Sequence, residues 1–118
     1  MIRDFATLLN KLESKYPVFA TDIRKDEIEE NKSFFIYNDD GDVFKSDSGT
    51  NQYQIEFYLS FVTREKAKIN KIEIIELFNQ HRLFFRNTDT QFGKLEDLDV
   101  ETSMTTFTFY HIEKMCRG

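Results

Sequence analysis

Tyr53-Gln-Ile-Glu-Phe-Tyr-Leu-Ser-Phe-Val62 decides how this chain folds. Tyr53, Ile55, Phe57, Leu59 and Phe61 recur at every second position. A strand turns alternate side chains to opposite faces, so these residues form one continuous apolar face. Gln54, Glu56 and Ser60 point the other way, with Tyr58 and Val62 among them. Aromatic and β-branched residues suit a pleated, half-buried surface. The stretch, roughly 33 Å long at about 3.3 Å per residue, reads as the central strand of an antiparallel sheet whose apolar face helices must cover.

Working outward, residues 2–15 read as a helix. Ile2, Phe5, Leu8, Leu9 and Leu12 fall on one stripe, and Pro17 disfavours helix at Tyr16. Val18 to Ile23 reads as a strand, and Arg24 to Lys32 as a charged connection or strand end. Ser33 to Tyr37 is a second strand, stopping at the turn formers Asn38-Asp-Asp-Gly-Asp42, in which Gly41 can take a positive φ. Val43-Phe44-Lys45 resumes the extended pattern, and Ser46 to Gln52 is a polar loop. Beyond the central strand, Ile69, Ile72, Ile75 and Phe78, widened by Ile74 and Leu77, predict a helix over 64–81 with Thr63 as its cap. Arg82 to Arg86 reads as a strand, Asn87 to Thr90 as a turn, and Gln91 to Leu98 as a short strand broken at Gly93. Val100 to Ile112 is a long last strand whose mixed apolar face suggests a bulge or an edge position. The sum is an α+β fold: an antiparallel sheet packed against the helices at 2–15 and 64–81, in a single domain over 1–118.

The 118 residues suffice for one domain with its own core, to which 13 Phe and 5 Tyr supply much of the volume. The single cysteine, Cys116, excludes an intrachain disulfide. The N-terminus carries Arg3 and Asp4 where a signal peptide would be apolar, and no long uncharged run follows, so a cytoplasmic chain with no membrane span is expected. A net charge of −5 argues against a general nucleic-acid binder. The charge is uneven: residues 19–52 hold nine acids and four bases, whereas residues 64–86 hold six bases and three acids.

The residue types that carry chemistry are sparse and scattered. His81 and His111 have no H-x-x-x-H or C-x-x-C partner, which favours structural roles over metal or catalytic ones. Cys116 sits in a tail, away from the rigid positioning that a nucleophile needs. The run Asp39-Asp-Gly-Asp42 fails as a calcium loop, since Ile36 stands where the first ligand would be. Glu96, Asp97, Asp99 and Glu101 read as a charged hairpin rather than a catalytic pair. Phe34, Phe35, Phe57, Phe61, Phe107 and Phe109 lack interleaved basic residues, so they read as core and not as a base-stacking platform. No catalytic, cofactor or metal site is predicted, and the chain reads as a non-enzyme.

The order of these segments resembles that of the tail-terminator and tail-completion proteins of long-tailed phages and prophages. The likeness lies in an opening amphipathic helix, Pro17-Val-Phe-Ala, a Phe34-Phe-Ile-Tyr strand, the long alternating strand, the helix containing Ile72-Glu-Ile-Ile-Glu-Leu-Phe78, and a closing Phe107-Thr-Phe-Tyr110. It is one of layout over nearly the whole chain, and it carries over no individual residue. It implies a non-enzymatic virion protein, made in the host cytoplasm, whose copies form a ring, commonly hexameric, at the head-proximal end of the tail. Its partners would be further copies of itself, the tail-tube protein and the head connector, with DNA passing unbound through the lumen and no membrane. A head-completion or connector protein, or a small bacterial α+β protein-binding module, is the alternative. Closed rings use a different patch on each side of the subunit. Asp39, Asp40 and Asp42 on one side and Lys66, Lys68 and Lys71 on the other are the expected subunit-interface residues.

Overall fold

A computed structural model describes residues 2, 4–21, 25–45, 52–94 and 101–114. In chain order the elements are α1 (Phe5–Glu13), β1 (Val18–Ala20), α2 (Lys25–Glu30), β2 (Ser33–Asn38), β3 (Val43–Lys45), β4 (Gln52–Thr63), α3 (Lys71–Gln80), β5 (Phe84–Lys94) and β6 (Glu101–Lys114). The result is an α+β fold built on a six-stranded sheet of order β1-β2-β4-β6-β5, with β3 also paired to β4. The quoted stretch is central, as its alternation predicts. All 12 residues of β4 pair with β6 on one side, while β2 and then β3 share the other. The sheet departs from a purely antiparallel pattern at β1, which runs parallel to β2.

The core lies on one face of this sheet. Phe57, Leu59 and Phe61 of β4 stand beside Phe107 and Phe109 of β6, and Leu8 and Leu12 of α1 with Ile74 and Phe78 of α3 cover them. Phe78 stacks on Phe109 with centroids 4.3 Å apart, and Phe5 meets Phe57 edge-on at 5.8 Å. Burying one such ring contributes about 2–3 kcal/mol. The turn after α1 is joined to α3 by Lys15 Nζ and Glu73 Oε1 at 2.7 Å. On the opposite face Phe19 packs edge-on against buried Phe34, the cross-strand partner of Val62. This smaller cluster explains why Val62 is buried although it shares a face with Gln54, Glu56 and Ser60.

Several sequence expectations are corrected. The second helix begins at Lys71 rather than residue 64, because Lys66 takes φ 56 and breaks the helical path. Asn70 is the true N-cap, its side chain accepting from Glu73 N at 3.1 Å. The charged connection at 24–32 contains α2, whose single half-buried apolar residue, Ile28, leaves no period to read. The strand expected at 18–23 is described only as Val18–Ala20. Residues 84–94 form one strand, not two around a turn. The irregularity is a β-bulge at Arg86, between Phe85 and Asn87. The strand β6 is neither an edge nor bulged; it lies between β4 and β5. Residues 38–42 do not reverse the chain. The strands β2 and β3 run the same way along β4, and the acidic run bulges between them.

Candidate interaction surfaces

The turn leaving β4 is fixed by a relay of hydroxyls. Ser33 Oγ donates to Glu65 Oε1 at 2.8 Å and lies 2.8 Å from Thr63 Oγ1. Ser33 has one hydroxyl proton, and Glu65 takes it, so Thr63 donates to Ser33. That leaves the Thr63 oxygen to accept from Glu65 N at 3.3 Å and Ala67 N at 3.1 Å. Thr63 therefore caps this turn and not the helix. Arg64 adds a second tie, its Nη2 donating to Ile28 O at 2.8 Å and Asn31 O at 2.9 Å. A non-glycine residue in the left-handed region costs about 1–2 kcal/mol, and this network holds Lys66 there.

The turn forms one wall of a cleft of about 480 Å³. Lys66, Lys68 and Lys71 lie along it, and Thr63, Thr105 and Phe92 line it further. Its other wall comes from β5 and β6, where Thr90 Oγ1 and Thr105 Oγ1 are 3.1 Å apart. The three lysines are exposed and make no ion pair with any other described residue. Phe92 is 75% exposed, an aromatic ring standing at the edge of a cationic cleft.

The acidic run lies elsewhere. Gly41 N donates to Glu56 O at 3.1 Å, and Glu56 N donates to Asp42 O at 2.9 Å. These two bonds clamp residues 41–42 against the middle of β4. Asn38 Oδ1 accepts from Asp40 N at 2.9 Å and shapes the start of the bulge. Gly41 has no positive φ. It is glycine because a Cβ there would stand 2.2 Å from the Glu56 carbonyl oxygen. Asp39, Asp40 and Asp42 are exposed, and the chain continues at once into Val43 and Phe44, 60% and 47% exposed. The local field is negative: the Tyr58 phenol is pushed up by burial and then by the carboxylates of Glu56 and Asp42.

The expected interface residues thus form two patches, which the structure keeps apart. From Glu56, beside the bulge, to Thr63, where the lysine turn begins, is about 23 Å along β4 at about 3.3 Å per residue. The long dimension of the chain is 55 Å, against 25 and 24 Å across. In the sequence Phe92 stands alone among polar residues and Val43-Phe44 is a short apolar pair between Asp42 and Lys45, and neither carries a motif that marks a surface site.

On the face opposite the α1 and α3 core, the β5 bulge aims Arg86 across the sheet. Its Nη2 donates to Gln54 Oε1, its Nε lies 4.0 Å from Glu56 Oε2, and its guanidinium sits 4.5 Å from the Tyr110 ring centroid. His81 is the buried C-cap residue of α3. His111 is buried on β6, with Nδ1 3.3 Å from Glu113 Oε1 but lacking a well-aligned hydrogen bond. Burial holds its imidazole below the ordinary value, against the pull of Glu113. Cys116, Glu96, Asp97 and Asp99 lie outside the described residues, as does the Glu101 side chain. Among the described residues no three His, Cys, Asp or Glu side chains gather to hold a metal ion, and no helix is long and apolar enough to cross a membrane. No protein-family model matches the chain, and no curated protein matches it.

Proposed function

We propose that this chain is a self-assembling structural protein whose copies join head to tail into a ring, and that it serves as a tail-terminator or tail-completion protein of a long-tailed phage or prophage. The observation that supports this reading is the separation of the acidic bulge from the lysine-lined cleft along β4. A patch that carries both signs at one place can pair with itself about a twofold axis. Two patches of opposite sign, set apart on an elongated body, match when the acidic bulge of one copy meets the lysine cleft of the next, a head-to-tail contact that generates rings when the rotation closes. The layout of the sequence supplies the phage assignment within that class. In such a ring the subunits would contact the tail tube and the head connector, and a net charge of −5 would let DNA pass without sticking.

The cleft also favours a second reading, a binding module that takes an acidic segment of a different protein. Light scattering behind gel filtration, at low and high salt, separates the two. The ring reading expects a discrete oligomer that dissociates as salt rises, because exposed charge pairs are screened over about 10 Å at 0.1 M. A chain that stays monomeric at every concentration and salt counts against self-assembly and leaves the binding module.

A further inference from the structure

Each of the two patches pairs its charge with an exposed apolar group. The acidic bulge runs straight into Val43 and Phe44, and the lysine cleft carries Phe92. Building on the self-assembly reading, we infer that the joint between subunits is the insertion of residues 39–44 of one copy into the cleft of the next. Asp39, Asp40 and Asp42 meet Lys66, Lys68 and Lys71, while Val43 and Phe44 cover Phe92.

Three physical arguments converge on this pairing. The lysines are three exposed positive charges along one cleft that form no ion pair with another described residue, and charges of opposite sign across an interface fix register and speed encounter. The apolar residues give the contact a component that salt does not screen, since burying apolar area gains about 25 cal/mol per Å². Both surfaces are also held in shape beforehand. The bulge is clamped to Glu56 by two backbone bonds, and the lysine turn is fixed through Thr63, Ser33 and Arg64. A preorganised surface loses less entropy on association.

The test uses two reversed proteins. One carries Lys66→Glu, Lys68→Glu and Lys71→Glu; the other carries Asp39→Lys, Asp40→Lys and Asp42→Lys. All six positions are exposed, so both chains are expected to fold, which circular dichroism checks. Alone, each reversed protein faces itself with like charges, and its dissociation constant should rise by about 100-fold or more. Mixed in equal amounts they should reassemble, because the acidic cleft of the first accepts the basic bulge of the second and the converse pair also matches. Phe92→Ser should weaken assembly by roughly tenfold and leave its salt dependence unchanged. Loss of the oligomer in both reversed proteins, with recovery on mixing, supports the joint. If the lysine-reversed protein keeps the wild-type mass, or if mixing restores nothing, the joint is overturned while a ring formed by other contacts stands. A wild-type chain that is monomeric throughout overturns the joint and the self-assembly reading together.

Discussion

Gly41 shows how one residue sets the shape of a surface. Its backbone lies so close to β4 that a methyl group would overlap the Glu56 carbonyl oxygen at 2.2 Å, with Tyr58 Cε2 at 3.0 Å behind it. A neighbouring main chain cannot swing aside as a flexible side chain can. Gly41→Ala should therefore destabilise the fold by about 1–3 kcal/mol, read from urea midpoints, and loosen the acidic bulge. Gly93 is the control: nothing lies within 4 Å of an added Cβ, so Gly93→Ala should stay within about 0.5 kcal/mol of wild type. His111 gives a prediction of another kind. Burial keeps its imidazole below the ordinary value, whereas the unfolded chain takes up a proton near pH 6.5. The unfolded state thus binds more protons as pH falls past that point. The stability that His111 contributes is complete above about pH 6.5 and declines below it. Between pH 7.5 and 5.5 the wild type should lose more thermal stability than His111→Gln; equal losses would show that His111 is not the source.

At the scale of elements, the helix α3 combines several local signals. Asn70 caps its start, Glu73 lies in its first turn, and its end closes on the αL residue Arg82 with Leu83 N donating to Phe78 O at 3.0 Å. Asn70→Ala removes the acceptor for Glu73 N and should cost about 1 kcal/mol, measured by urea unfolding, with no change in the cleft lysines' chemistry. Element by element, legibility in the sequence followed physical asymmetry. The strand β4 was legible because its two faces meet different surroundings, and β2 because Phe34, Phe35 and Ile36 are compact and apolar. The start of α3 was not, because Ala67 and Ile69 fit a helical period and nothing in Arg64-Glu-Lys66 announces a positive φ. The helix α2 left a single apolar mark, Ile28. Asn87-Thr-Asp-Thr90 has the composition of a turn, yet the ladder of β5 with β6 continues through those residues. The lysines were legible as a charge run. The cleft was not, because its far wall comes from Thr90, Phe92 and Thr105, remote in sequence and brought near only by the β5 and β6 pairing.

For the whole molecule, what matters is how the pieces are ordered along one long sheet. Opposite charges at separate places on a 55 Å body give the chain a direction, and under the proposed self-assembly salt-dependent mass is the measurement that reads it. The same sheet order has a kinetic side. The central strand β4 is flanked by β2 and β3, made before it, and by β6, made only after residues 64–100. At roughly 5–20 residues per second, ribosomal synthesis leaves the β6 side of β4 unpaired for several seconds. Throughout that interval Phe57, Leu59 and Phe61 lack their neighbours Phe107 and Phe109, on a strand edge of the kind that recruits other chains. The nascent protein thus passes through a sticky half-sheet, and its yield in a cell should depend on how quickly translation delivers β6 or on a chaperone that shields β4 until it arrives.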